Sequence, residues 1–257
     1  MPESPVIVLT GASRGIGKGI ALSALTKFNA RLVAVARNAE LLKELESEAA
    51  KLGKADSITT VAGDVTDSQV IKQSVAAAIE KWGKLDALIA NAGVIEPLAS
   101  VANVNIEEFK RSFDINFFSI VSLVQEALPH LRKSKGSIIM VSSAIAFQPF
   151  LGCAAYGASK TAVNHLTSTL AIEEPEITTI AVEPGVVDTD MQGILRTEGK
   201  ESLKDHHQMF IDLHESGKLL TPEQAGHVFG ALAANPPRDL SGTFCGQDEE
   251  KIKDYRL

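Results

Sequence analysis

A chain of 257 residues, 45% hydrophobic and 22% charged, is long enough for one well-buried core and lies in the ordinary globular range. Its net charge of −7 argues against a general nucleic-acid binder, which needs a basic face to neutralise phosphates. Cys153 and Cys245 form neither a disulfide framework nor a zinc-ligand spacing, so a reducing compartment is expected and no metal. The start MPESP lacks the basic and long apolar regions of a signal peptide. No stretch of about eighteen apolar residues offers a membrane span, and a cytoplasmic protein without membrane attachment is expected.

Residues 6–9 are an apolar run that ends at a glycine-rich turn, the pattern of a strand buried on both faces. A helix is predicted over 15–28, a strand over 31–36 and a helix over 40–52. The alternation continues with a strand at 58–61, a helix at 67–82 and a strand at 85–90. One long helix is predicted over 105–131, with Asn105 and Glu108 spaced as a capping box. Then follow a strand at 137–141, a helix at 156–172, a strand at 177–182, a helix at 222–234 and a last strand at 242–245. Such alternation means βαβ units and a parallel sheet. With about seven strands and a glycine-rich first turn, the prediction is a single-domain α/β protein, a Rossmann-type doubly wound open sheet rather than an eight-unit barrel.

The turn after the first strand reads Thr10-Gly11-Ala12-Ser13-Arg14-Gly15-Ile16-Gly17. Glycines permit tight backbone angles and close approach of the main chain to a pyrophosphate, which the N–H groups and dipole of the following helix attract. A dinucleotide is therefore the expected ligand. NAD-binding folds place an acid at the end of the second strand, to bond the ribose 2′-hydroxyl. This chain has Ala36-Arg37-Asn38. Arg37 and Arg14 suit a 2′-phosphate, so the cofactor read from the sequence is NADP(H).

Tyr156 and Lys160 stand four residues apart, on one face of a predicted helix, and Ser143 lies upstream at the end of the fifth strand. Together with Thr10-Gly11-x-x-x-Gly15-x-Gly17, Asp64-Val65, Asn91-Ala92-Gly93, Asn116 and Pro184-Gly185, in this order, these residues make the chain resemble the short-chain dehydrogenase/reductase family over its whole length. The resemblance implies that Tyr156 is the acid/base, Lys160 its activator and a ligand of the nicotinamide ribose, and Ser143 the hydroxyl that binds the carbonyl. Asn116 would hold a water that relays protons through Lys160. Cofactor contacts would come from Gly11, Ser13, Arg14, Gly15, Ile16 and Gly17, from Arg37, Asp64, Val65, Asn91 and Gly93, and from Pro184, Gly185, Val187 and Thr189. A tyrosine ordinarily titrates near pH 10. Lys160 and an oxidised nicotinamide are expected to draw the phenol toward neutrality by opposite charge.

Segments 170–175 and 188–192 resemble the sepiapterin reductase and benzil reductase branch, which implies an NADPH-linked reduction of a small-molecule carbonyl, a vicinal diketone in particular. Where the pterin-binding members carry an aspartate after a Ser-Gly pair, counting from Ser241-Gly242 reaches Gly246, with Asp248 two positions later. That departure favours a diketone over a pterin. Segment 190–220 is expected to be a substrate lid, and Phe147, Phe150, Leu151 and Met191 are expected to line the pocket. Core packing is the competing reading for each phenylalanine and leucine. His206, His207 and His214 are read as a solvated helix face. The resemblance further implies a homodimer or homotetramer through the helices near 105–131 and 156–172. Two other readings stay open: an NADP-dependent alcohol dehydrogenase acting oxidatively, and a non-catalytic NADPH sensor.

Overall fold

The first strand, β1 (Val6–Thr10), sends Ile7 and Leu9 into one apolar cluster and Val6 and Val8 into another, so both of its faces are covered. The structure, a computed structural model, describes residues 4–257; the chain start read at residues 1–3 lies outside the described residues. After β1 come α1 (Gly15–Lys27), β2 (Arg31–Ala36), α2 (Ala39–Lys51), β3 (Ile58–Ala62), α3 (Ser68–Trp82) and β4 (Ala87–Ala90). The second half runs α4 (Ile106–Phe113), α5 (Ser119–Ser134), β5 (Ser137–Val141), α6 (Ala154–Glu173) and β6 (Thr178–Glu183). It ends with three short helices, α7 (Asp190–Thr197), α8 (Lys200–Leu203) and α9 (Asp205–Glu215), then α10 (Pro222–Ala234) and β7 (Phe244–Gly246).

All seven strands are parallel, in the order β3-β2-β1-β4-β5-β6-β7. The sheet grows outward from β1 through β2 to β3, then restarts at β4 on the other side of β1. Ligands of open α/β sheets bind beyond the strand C-termini at such a switch point. Residues of α1, α2 and α10 cover one face, with Ile20, Leu42 and Phe229 in its cluster. Residues of α3, α5 and α6 cover the other, with Val70, Leu123 and Val163. No helix among the described residues is long and apolar enough to cross a membrane.

The predicted helix over 105–131 is a composite. Asn105 caps α4 by accepting from the Glu107 and Glu108 N–H groups, and α5 runs on to Ser134. Between them Asp114–Phe118 forms a single π-helical turn, in which the Ser119 N–H bonds back to the Asp114 carbonyl. The Ser119 hydroxyl takes the Ile115 carbonyl at 2.6 Å. Wide turns of this kind concentrate at functional sites, and this one contains Asn116. The fourth strand begins at Ala87 rather than at Leu85, and just before it the Asp86 carboxylate accepts from the Val6 N–H at 2.8 Å.

Helices α1 and α10 meet through glycines. A Cβ on Gly19 would lie 2.0 Å from the Pro222 carbonyl oxygen, and one on Gly226 would lie 2.3 Å from Gly19 C and Ile20 N. No backbone can yield that far without moving a helix, so alanine at Gly226 is expected to cost about 1–3 kcal/mol through overpacking. Alanine at Gly230, where a Cβ would sit at an ordinary 3.4 Å from Ala24 N and the Phe28 ring, should leave stability nearly unchanged. Thermal unfolding of Gly226→Ala and Gly230→Ala checks this; equal melting temperatures would show that the helix contact tolerates a methyl group.

Candidate active site

The turn after β1 is built around positions that exclude a side chain. Gly11 has φ 67°, and a Cβ there would meet Asn91 Nδ2 at 2.7 Å. A Cβ on Gly17 would lie 1.9 Å from the Gly11 carbonyl oxygen. Asn91, directly after β4, donates from Nδ2 to the Thr10 and Gly11 carbonyls at 2.9 and 3.1 Å. The Thr10 hydroxyl accepts the Asn91 and Ala92 N–H groups, both at 3.1 Å. Arg14 is the N-cap of α1, with no side-chain bond across the first turn and no acid within it. The N–H groups there remain available to an anion. Uncapped donors, backbone bare of Cβ atoms and an arginine at the mouth together fit a dinucleotide diphosphate.

Around this turn stand the other predicted cofactor residues. Ser13 and Ile16 are partly exposed within it, and Arg37 is exposed immediately after β2. Asp64 Oδ1 accepts from the Thr66 N–H and hydroxyl at 2.9 and 2.8 Å, and Oδ2 from Arg111 at 2.6 Å. Burial acts to raise the Asp64 carboxyl, but the Thr66 bonds and the Arg111 charge outweigh it and hold it below the usual carboxylate range. Val65 is buried in the core. Beyond β6, Gly185 has φ 72°, and Val187 forms a bridge to Leu220, with N–H···O bonds of 2.9 and 3.0 Å on either side of it. Pro184, directly after β6, is buried. Thr189 caps α7 and approaches the glycine turn, since a Cβ on Gly15 would lie 3.2 Å from its methyl group.

The four predicted catalytic residues converge beyond β5. Ser143 caps the single helical turn at 144–146 by accepting the Ile145 N–H at 3.2 Å, and its hydroxyl stands near enough to the Tyr156 phenol to favour the phenolate. Lys160, on the next turn of α6, has its Nζ 5.6 Å from the Tyr156 ring centroid and donates to the Val141 carbonyl at 2.7 Å. Gly93 lets these groups meet: a Cβ there would lie 3.2 Å from Asn116 Oδ1 and 3.7 Å from Lys160 Nζ. The Asn116 carboxamide is fully engaged by protein. It accepts the Val94 N–H at 2.8 Å, and donates to the Val94 carbonyl at 2.9 Å and to the Ser112 and Ser159 hydroxyls at 3.2 Å. Ser159 meets Asn116 across 43 positions of chain, which spacing does not report, whereas Ser112, four positions before Asn116, offered a helical-spacing signal that was not used.

The protein's own groups by themselves do not draw the phenol toward neutrality. Burial pushes the Tyr156 phenol up to about 12, with Cys153 and Glu183 adding to the rise and the Ser143 hydroxyl opposing it. Burial also pushes the Lys160 amine down to about 8. Among the protein's own groups desolvation wins over opposite charge, because Lys160 Nζ is aimed at a carbonyl rather than at the phenol oxygen. At pH 7 Tyr156 therefore keeps its proton.

The four residues expected to line a pocket separate into two pairs. Phe150 and Met191 pack with Tyr156 in an apolar cluster that includes Ile95, Leu195, Leu203 and Phe210. Phe147 and Leu151 do not join it: they are 62% and 46% exposed, and Phe147 rests on Phe244 at 4.8 Å between ring centroids. The histidines also correct the reading. His206 Nδ1 accepts the Leu151 N–H at 3.3 Å, its ring lies 4.8 Å from Phe150, and His207 Nε2 is 2.8 Å from the Arg196 carbonyl. Two of the three, half-buried, tie α9 to its surroundings, while His214 is exposed. Buried Gln192, which the sequence did not single out, joins α7 to α9 by donating to the Phe210 carbonyl at 2.9 Å. Near β7, a Cβ on Gly246 would lie 2.9 Å from Asp248 Oδ1 and 3.7 Å from Glu183 Oε2. A carboxylate two residues downstream thus folds back onto the glycine position.

Lys160 makes stability depend on pH. Its amine titrates at about 8 when folded against 10.5 as its ordinary value, so between these values the unfolded chain holds a proton that the folded chain has released. Stability from this group rises with pH across that window. Denaturant unfolding of wild type and Lys160→Met from pH 7.5 to 9.5 is expected to show an upward slope that the variant has lost. Parallel slopes would mean that Lys160 titrates normally.

The sequence profile of the short chain dehydrogenases matches residues 5–200. The chain is 46% identical over 241 residues to an uncharacterized oxidoreductase of Schizosaccharomyces pombe, covering 93% of this chain and 94% of that one. It is 36% identical to a benzil reductase ((S)-benzoin forming) of Saccharomyces cerevisiae, covering 96% and 97%. The crystal structure of a short chain dehydrogenase/reductase from the same yeast superposes with a TM-score of 0.95 at 39% identity, over 99% of this chain and 100% of that one. With its switch-point glycine turn and its Ser143, Tyr156 and Lys160 cluster, the chain belongs to the short-chain dehydrogenase/reductase family of NAD(P)(H)-using oxidoreductases.

Proposed function

We propose that the protein is a cytoplasmic, NADPH-dependent carbonyl reductase acting on apolar ketones, with a vicinal diketone such as benzil as the representative substrate. The observation that carries this reading is the protonated, buried Tyr156, beside Ser143 and set among Ile95, Phe150, Leu195 and Phe210. A bound reduced nicotinamide supplies the hydride. Ser143 donates a hydrogen bond to the substrate oxygen as negative charge builds there. Tyr156 hands its proton to that oxygen, and a phenol held near 12 is in the acid form that a reduction needs. Lys160, still cationic at neutral pH, stabilises the phenolate left behind and orients the nicotinamide ribose. Asn116 positions the loop after β4 against α6 through its bonds to Val94 and Ser159.

The choice of NADPH rests on exposed Arg37 after β2, on the absence of an acid at that position, and on Arg14 at the mouth of the glycine turn. The diketone rests on the apolar cluster and on likeness to the yeast benzil reductase. A second reading, reduction of a pterin side-chain ketone, draws on Asp248, whose carboxylate reaches the position that the chain count assigned to glycine.

Loss of reduced-nicotinamide absorbance decides among these. With purified protein, NADPH should be consumed rapidly with benzil and slowly with sepiapterin or a simple aldehyde, and Tyr156→Phe should lose about 10²–10⁴ of that rate while still binding NADPH. Near-normal turnover by Tyr156→Phe would remove the mechanism, and fast sepiapterin turnover would favour the second reading. Arg37→Ala is expected to raise the NADPH Michaelis constant about tenfold with little change for NADH. Equal effects on both would take Arg37 away from the 2′-phosphate.

A further inference from the structure

We propose that Asp190 sets the degree of preference between the two nicotinamide cofactors, by competing with the adenosine 2′-phosphate for the Arg14 guanidinium. The inference rests on the reading that Arg14 meets that phosphate. Arg14 Nη1 lies 2.7 Å from Asp190 Oδ2, and the two side chains are 63% and 68% exposed. They are 176 positions apart in the chain, so the pair joins the glycine turn to the first residue of α7. A second contact runs beside it: Gly15 approaches Thr189 so closely that a Cβ would lie 3.2 Å from the threonine methyl group. The start of α7 therefore closes onto the mouth of the dinucleotide groove through one ion pair and one apolar contact.

The position of Asp190 suits a competitor. As an acid in the first turn of α7, with Thr189 as its cap, it is held at the positive end of that helix whether or not Arg14 is engaged. An exposed ion pair is weak enough to be exchanged for a dianionic phosphate, whereas a ribose hydroxyl offers Arg14 little in return for the carboxylate. Asp190 thus opposes the phosphorylated cofactor more than the unphosphorylated one. It also keeps Arg14 stretched toward α7 rather than toward the end of β2, where Arg37 stands. Selectivity is then a balance between two arginines that attract the 2′-phosphate and one carboxylate that holds one of them back.

Calorimetric titration of wild type, Asp190→Asn, Arg14→Ala and the double variant with NADPH and with NADH at low salt tests this without recourse to turnover. Asp190→Asn is expected to tighten NADPH about two- to fivefold, the range of an exposed ion pair, and to leave NADH within about twofold. The gain should vanish in the Arg14→Ala background and shrink as salt rises. Asp190→Glu should restore the wild-type ratio. If Arg14→Ala weakens NADPH selectively while Asp190→Asn changes nothing, or if the gain persists without Arg14, the competition is overturned and the cofactor reading stands. If Arg14→Ala affects both cofactors equally, the reading beneath the proposal fails with it.

Discussion

Asn91 joins the two segments between which the sheet changes its direction of growth. From the end of β4 it donates to the Thr10 and Gly11 carbonyls, while Thr10 accepts two N–H groups in return. This four-bond clasp works only because Gly11 and Gly17 bring no Cβ into it. It fixes where α1 begins, and so where uncapped N–H groups meet an anion. Two residues further on, Gly93 admits Asn116 and Lys160 to the same spot. The binding half and the chemical half of the site are therefore not separate constructions: both hang from residues 91–94, and an error of one residue in the β1–β4 register would separate them.

The electrostatics follow from that compression. Bringing Lys160, Tyr156 and Asn116 together leaves each at most 7% exposed, and burial then disfavours every charge it encloses. The phenol rises and the amine falls, and the two groups remain in the protonated state at neutral pH. For the proposed reduction this is the useful arrangement, since the acid is loaded before substrate arrives and the cation is in place to receive a phenolate. The Val141 carbonyl, by accepting from Lys160, keeps the ammonium solvated by the protein when water is excluded.

The parallel sheet was legible because strands buried on both faces read as continuous aliphatic runs; all seven described strands lie within about two residues of the predicted bounds. The grouping of Ser143, Tyr156 and Lys160 was legible too, because helical spacing and a strand end place them without knowledge of tertiary packing. What the sequence withheld is long-range. The π turn at Asp114–Phe118 holds Asn116 against Val94 and Ser159, partners 22 and 43 positions away that no local pattern reports. The rise of the Tyr156 phenol depends on burial, which spacing does not report. Phe147 shows the same limit: nothing local tells whether an aromatic four residues after Ser143 turns inward, and it rests on Phe244 at the surface instead.

Segment 190–220 unites two kinds of bond that do different work. Two of its polar ties run to other parts of the fold, from His206 to Leu151 and from Asp190 to Arg14, and a third joins Gln192 to Phe210 within the segment. Its apolar side chains, Met191, Leu195, Leu203 and Phe210, all join the cluster that surrounds Tyr156. Polar bonds are directional and set where the helices stand, whereas the apolar wall is non-directional and accepts shapes rather than specific groups. Facing such a wall, a substrate with extra hydroxyls or amides would leave them unpaired, at a cost of about 1–3 kcal/mol each. For the proposed carbonyl reduction, selection by this site is therefore exclusion of polarity around the carbonyl, with the hydroxyls of Ser143 and Tyr156 as its hydrogen-bonding partners.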